Sequence, residues 1–218
     1  MTGQVKRYAL YGIISILSTM IVILLGYIAY LQFAPVNTSD VPAYLLDDDG
    51  ITPIEPPLPI PNATLTDQSN QQIDIASLDK PYTLLTFGFT HCPDICPITL
   101  GEYRRIYDDL GTNADEVNFV FVSVDGDRDT PLILATYFET LRVDNFVIGL
   151  TGTENEIAFL TNPLGVEFIK HEPDQFGNYN VDHTAGMFLL DADGNWIRRY
   201  RYGIRADIIA DDIRALIN

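Results

Sequence analysis

From Tyr8 to Phe33 the chain runs for about 26 residues without a charged side chain. At about 1.5 Å rise per residue, this exceeds the roughly 30 Å hydrocarbon thickness of a bilayer. Such a run spans a membrane with some tilt and leaves only the residues beyond it to build a globule. A cleaved signal peptide is the competing reading, but its apolar core runs to about 7 to 15 residues before a small-x-small site. Here the exit reads Tyr30-Leu31-Gln32-Phe33-Ala34-Pro35, without that pattern, and an uncleaved anchor fits better. Tyr8, Tyr11, Tyr27 and Tyr30 fall near its two ends, as an interfacial belt would have them.

Charge sets the orientation. Lys6 and Arg7 precede the run, and the first charge after it is Asp40. The positive-inside bias therefore places residues 1–7 in the cytoplasm and 8–33 across the membrane as a single-pass anchor. No Arg-rich, acid-poor import presequence is present, which favours a bacterial inner (plasma) membrane, with the C-terminal part periplasmic or otherwise extracytoplasmic. Of 13 Lys+Arg and 30 Asp+Glu, only those two bases lie before the run, so the net charge of −17 becomes −19 beyond it. An excess of that sign repels phosphate backbones and excludes nucleic acid as a partner.

Residues 34–61 form a second punctuation. Seven of the 13 prolines lie between Pro35 and Pro61, together with Asp47-Asp48-Asp49. This stretch can make neither a helix nor an internal strand, and it reads as a stiff acidic linker, with a surface strap as the alternative. The remaining 62–218 are expected to fold as one domain. A hairpin is expected around Asp67–Asn70, buried strands over Tyr82–Phe89 and Val117–Val124, and a helix over Ile98–Leu110 that Gly111 ends. Asp129-Thr130-Pro131 caps a further helix. A strand over Asn145–Leu150, a helix over Glu154–Leu164 and a short strand over Val166–Lys170 come next. Strands flanking Asp191–Asn195 and a helix over Arg205–Ile217 close the chain. The fold class is α/β: a thioredoxin-like arrangement, with a central mixed sheet flanked by helices, plus the N-terminal transmembrane helix.

The two cysteines exclude a disulfide framework and a four-thiolate zinc module. They stand in Phe87-Gly88-Phe89-Thr90-His91-Cys92-Pro93-Asp94-Ile95-Cys96-Pro97, a strand running into a C-x-x-x-C loop at a helix N-terminus. Helix N-H groups favour anions there, so one or both thiols should ionise more readily than a free cysteine. A third ligand must come from His91, His171 or His183. Adjacent residues seldom point to one centre, which disfavours His91, and His171 lies in a polar loop. His183 precedes the hairpin strand that starts beside the cysteine loop in a thioredoxin-type sheet; position alone leaves it a ligand or a hydrogen-bonded core histidine. Two thiolates and one imidazole would suit copper as Cu(I) or Cu(II). A structural zinc normally takes four protein ligands, and no fourth is evident.

Three segments carry a family resemblance. The cysteine segment above, Ser123-Val124-Asp125-Gly126-Asp127-Arg128-Asp129-Thr130-Pro131 and Val181-Asp182-His183-Thr184 resemble the signature segments of the Sco/SenC copper chaperones. The resemblance implies a thioredoxin-like domain tethered to the inner membrane, with copper held by Cys92, Cys96 and His183. It also implies a part in cytochrome c oxidase assembly: loading the binuclear copper A site of subunit II, or serving other copper-handling proteins. Gly126 stands where the family often has proline. Asp125, Asp127 and Asp129 fail the EF-hand spacing and read as a strand end plus helix cap. Asp182 either orients the His183 imidazole or serves only the surface.

The functional reading is a metallochaperone. Its rival is a thiol-disulfide reductase in which Cys92 and Cys96 cycle between dithiol and disulfide to keep a recipient's cysteines reduced. That rival has no need of His183. A thioredoxin-type peroxidase fits less well, because Thr90 stands two rather than three residues before Cys92.

Overall fold

The computed structural model describes residues 50–218 and, ahead of them, Tyr11, residues 18–21 and Leu24, which are helical. Among these described residues no helix is long and apolar enough to cross a membrane. Most of the run from Tyr8 to Phe33, and all of 34–49, lie outside the described residues. The chain divides into two compact units, Met1–Leu46 and Asp47–Asn218, and the second holds the α/β domain.

Among the described residues from 50 onward are ten strands: β1 Ile51–Pro59, β2 Thr64–Asp67, β3 Gln72–Asp74, β4 Tyr82–Gly88, β5 Val117–Ser123, β6 Val147–Thr151, β7 Phe168–Lys170, β8 Val181–His183, β9 Met187–Leu190 and β10 Asn195–Tyr200. Four α-helices accompany them in this same stretch: α1 Ile95–Leu110, α2 Pro131–Leu141, α3 Glu154–Thr161 and α4 Ala206–Ile217. Eight strands form one sheet in the order β1-β10-β9-β4-β5-β6-β2-β3, while β7 and β8 pair separately. β4, β5 and β6 run parallel and the other pairs are antiparallel, so the sheet is mixed.

The start of the domain needs a correction. The Pro-rich stretch to Pro61 is not all spacer: Ile51–Pro59 is the edge strand β1, antiparallel to β10 with Ile51 opposite Tyr200 and Pro59 opposite Asn195. An edge strand offers one row of hydrogen-bonding groups to solvent, so prolines without N-H are tolerated there. The register slips between Pro53 and Leu58, where Pro56 and Pro57 stand.

β4 explains where the site lies. Leu84, Leu85 and Phe87 are buried within it, flanked by β9 and β5. Phe119 and Phe121, two apart on β5, share one face of the sheet. There Phe119 meets Tyr103 and Tyr107 of α1, and Phe121 meets Tyr137 and Phe138 of α2. Both helices fall on that face because β4, β5 and β6 lie side by side in chain order, and right-handed crossovers then turn the same way. Tyr103 is fully buried, and its hydroxyl donates to Leu84 O at 2.8 Å and Val120 O at 3.1 Å, pinning α1 across both strands. The exposed side of α1 needs no such partner, since Cys96, Thr99, Leu100, Tyr103, Ile106 and Leu110 recur at helical spacing and form its buried stripe.

Gly126 has a specific reason to be glycine. A Cβ there would stand 1.9 Å from the Gly152 carbonyl oxygen, because the turns after β5 and β6 touch through backbone. Gly126→Ala is therefore expected to lower stability by about 1–3 kcal/mol, the usual range for overpacking, in urea unfolding of the full chain. An unchanged midpoint would show that the two turns separate without cost.

Candidate metal centre

β4 ends at Gly88, whose lack of a side chain makes room for a thiol. A Cβ at Gly88 would lie 2.7 Å from Cys96 Sγ and 2.8 Å from Phe121 Cε2. The helix begins at Ile95, earlier than the pattern from Ile98 suggests, so Cys96 sits in its first turn, buried, and accepts from Phe89 N at 3.5 Å. Cys92, half-buried, lies in the preceding turn that its own N-H closes onto Phe89 O at 3.2 Å. Both are free thiols.

A buried carboxylate holds this loop. Asp129, fully buried just ahead of α2, accepts from Thr90 N at 2.8 Å, Thr90 Oγ1 at 2.6 Å and Ser123 Oγ at 2.6 Å. The cysteine loop is thus tied to the end of β5. His91 turns to this network instead of the thiols: its Nδ1 lies 3.1 Å from Thr90 Oγ1 and 3.8 Å from Asp129 Oδ1, and its side chain is half-exposed.

His183 arrives on β8, a three-residue strand paired with β7 so that Phe168 stands opposite it. Its Nε2 lies 3.7 Å from Cys96 Sγ, and its ring meets the Phe89 ring edge-on at 6.0 Å. The ligand atoms of Cys92, Cys96 and His183 all lie within 4.8 Å of one another. The opposite nitrogen, Nδ1, is 3.2 Å from the Thr184 carbonyl. A carbonyl only accepts, so Nδ1 carries the proton and Nε2 presents its lone pair towards the sulfurs. Asp182 does not orient this ring. The alternation of strand β8 sends its side chain the other way, where Asp182 Oδ2 meets His171 Nε2 at 2.8 Å, both half or more exposed. His171 is accordingly far from the cysteines' role and close to the surface.

The segment leading into β8 is clamped by residues whose role the sequence did not disclose. Arg128 ion-pairs with the fully buried Asp125 and donates Nη1 to Tyr179 O at 2.9 Å, with its guanidinium 3.6 Å from the centre of the Tyr179 ring. The Tyr179 hydroxyl donates to Asp125 Oδ1 at 2.6 Å. Three acids at two-residue spacing were the visible signal, but only the fold shows that Asp125 and Asp129 are buried and that Asp127 faces out to Lys170 at 2.6 Å.

Electrostatics correct the expectation of a readily ionised thiol at Cys96. Burial pushes the Cys96 thiol well above its ordinary range, and the Phe89 N-H only partly opposes it. Desolvation thus outweighs that hydrogen bond at Cys96. Burial likewise holds the His183 imidazole below its usual value, against the Thr184 carbonyl and the Asp182 charge, so the ring is neutral and its lone pair available. Two sulfurs and one imidazole nitrogen make a soft donor set that suits copper in either oxidation state. Asp129, a buried carboxylate tied to the cysteine loop, has its oxygens engaged by three donors, and no carboxylate joins the Cys92, Cys96 and His183 cluster among the described residues as a fourth ligand for zinc.

The chain matches the SCO1/SenC family model over residues 60–218. It is 33% identical over 174 residues, 79% of this chain and 82% of the relative, to a Stutzerimonas stutzeri protein named as a candidate copper-binding protein. Among solved structures, ScoI of Bradyrhizobium japonicum with copper bound is 35% identical with a TM-score of 0.65, covering 72% of this chain and 98% of that one. The apo Sco1 protein of Thermus thermophilus is 30% identical with a TM-score of 0.67, covering 76% and 95%. With residues 60–218 matched, and with the sulfurs and the imidazole converging as described, this chain belongs to the SCO1/SenC family.

Proposed function

We propose that this chain is a membrane-anchored copper chaperone. It binds one copper ion through Cys92, Cys96 and His183 and delivers it to the binuclear copper A site of cytochrome c oxidase subunit II during assembly of the respiratory complex. The observation that carries the reading is the convergence of the three ligand atoms within 4.8 Å. Relatives bearing copper in their solved forms support the choice of metal. The apolar run 8–33 would anchor the domain on the outer face of a bacterial inner membrane, near a membrane-bound recipient.

The chain's own residues do distinct things at this site. Gly88 leaves space for the Cys96 sulfur, Asp129 fixes the loop that carries Cys92, and the Thr184 carbonyl fixes the tautomer of His183. Binding requires both thiols to lose their protons, which bulk solvent takes up. Copper supplies the cargo, leaving by exchange of these ligands for the recipient's. The half-buried Cys92 and His183 flank the buried Cys96, so two of the three ligands are open to an incoming group.

A second reading rests on the same pair of free thiols. As a reductase, Cys92 and Cys96 would form an S–S bond and release two protons, and their two electrons would break the recipient's disulfide into two thiols. The discriminating experiment mixes the copper-loaded full chain with the reduced, copper-free soluble domain of subunit II and then separates them. Copper is expected with the recipient. If copper stays behind while an oxidised recipient is nevertheless reduced, the reductase reading replaces the chaperone.

A further inference from the structure

β8 carries His183 but stands outside the main sheet, in a two-stranded ladder with β7. Three paired residues shape this arm without fixing its distance from Cys92 and Cys96, so contacts beyond the ladder must do that. Past His183, Thr86 Oγ1 of β4 donates to Gly186 O at 3.0 Å. Beside it, Lys170 of β7 reaches Asp127 at 2.6 Å, in the turn between β5 and α2. Ahead of it, Arg128 of the same turn donates Nη1 to Tyr179 O at 2.9 Å.

Arg128 does more than hold a carbonyl. Its guanidinium lies 3.6 Å from the centre of the Tyr179 ring and 5.8 Å from that of Phe89. Phe89 meets the His183 ring edge-on at 6.0 Å, and its N-H donates to Cys96 Sγ. One side chain, only 20% exposed, thus faces both the His183 arm and the residue that contacts Cys96 and His183 alike. The next residue, Asp129, secures the cysteine loop through Thr90, so two consecutive residues brace the two halves of the metal centre. The arginine carries a penalty: Nη2 is buried without a hydrogen-bond partner among the described residues, and an unpaired buried donor is destabilising. A lysine could neutralise the buried Asp125 without that loss. What lysine lacks is the planar fork that pairs with a carboxylate, reaches a carbonyl and stacks on aromatic rings at once.

We infer that Arg128 is a positioning residue for copper binding: by gripping Tyr179 and facing Phe89 it holds the His183 imidazole within reach of the two sulfurs. This deepens, and rests on, the copper reading above. Arg128 touches neither metal nor recipient and acts wholly through the imidazole.

The test is a double-mutant cycle of Arg128→Lys with His183→Ala in the full chain, read as Cu(I) affinity by competition with a chromophoric chelator. Arg128→Lys alone should lower the affinity by about tenfold or more, the scale for residues that orient a ligand. In the His183→Ala background it should change affinity by less than about twofold, because no imidazole remains to be positioned. A merely structural arginine would weaken binding equally in both backgrounds; that result, or wild-type affinity in Arg128→Lys, overturns the inference. Should Arg128→Lys fail to fold, Tyr179→Leu enters the same cycle with the same expected pattern, since it spares the Arg128–Asp125 pair and removes the stacked ring. A metal-free readout separates this inference from the copper reading. In NMR spectra the His183 ring protons of wild type should carry a ring-current shift from Phe89 and lose it in Arg128→Lys. If wild type retains no copper, the copper reading fails by itself, while an unchanged His183 ring shift in Arg128→Lys would refute the positioning role.

Discussion

His183→Ala is expected to weaken Cu(I) binding by the full chain by about a hundredfold or more, since even residues that only support a ligand alter affinity by about 10- to 100-fold. The argument is geometric. His183 contributes the single imidazole nitrogen within reach of the two sulfurs among the described residues, and its orientation is set from outside the site by the Thr184 carbonyl. Nothing else stands ready to replace it: His91 is engaged with Thr90, and His171 with Asp182. The fold should tolerate the change. His183 lies at the end of a short two-stranded pair, its ring only half-buried and in edge contact with Phe89, so melting should shift by a few degrees at most. The Cys92–Cys96 disulfide should still form on oxidation. An unaltered affinity would mean that the imidazole is a core histidine after all, the bland option its position in the sequence left open.

The largest effect on stability is expected at Asp129. Its carboxylate is fully buried and serves three donors from two segments, Thr90 of the cysteine loop and Ser123 at the end of β5. Asp129→Ala removes the acceptor and leaves the part-buried Thr90 N-H and the buried Ser123 O-H with nothing to donate to. Orphaned groups of this kind are destabilising by about 1–3 kcal/mol each and are not additive, so a loss of about 3–4 kcal/mol is expected. For a domain of this size that corresponds to a melting point lower by roughly 10 °C. Asp129→Asn should recover part of it, because one amide oxygen still accepts while the NH2 faces donors. Copper affinity should fall as well, since the loop carrying Cys92 loses its tether. A variant as stable as wild type would show that the loop is held by something other than this carboxylate.

Much of this architecture is legible from residue pattern, and the exceptions have physical causes. The parallel strands β4 and β5 are buried on both faces and so appear as continuous apolar runs; Thr130-Pro131 marks a helix start by its own chemistry, and the Thr130 hydroxyl does cap Ile133 N. β1 is hidden because proline content argues against a strand, and only its place at the sheet edge makes that composition acceptable. β8 is too short, at three residues, to show an alternation, although it places both His183 and Asp182. That alternation is why Asp182, adjacent in sequence, points away from the imidazole.

The site divides in the same way. Cys92 and Cys96 could be singled out because few residue types bind soft metals and the chain has only two cysteines, while His183 stood apart from the other two histidines only through the resemblance of its segment to the Sco/SenC signature. Their support could not be singled out. Asp129, Arg128 and Tyr179 are common residue types whose importance lies in burial and in partners distant along the chain. The ionisation of Cys96 is the instructive case: helix position argues for a lowered pKa, burial for a raised one, and the depth at which the thiol sits decides between them. Metal binding must then overcome the proton on that sulfur, which makes hydrogen-bond donors around it consequential.

Copper K-edge X-ray absorption of the full chain loaded with one equivalent of Cu(I) probes the ligand set itself. Two sulfur ligands and one nitrogen ligand are predicted in the first shell, with the nitrogen lost in His183→Ala and the sulfurs retained. A first shell of oxygen and nitrogen without sulfur, or a nitrogen contribution that survives in His183→Ala, would contradict a site built from Cys92, Cys96 and His183.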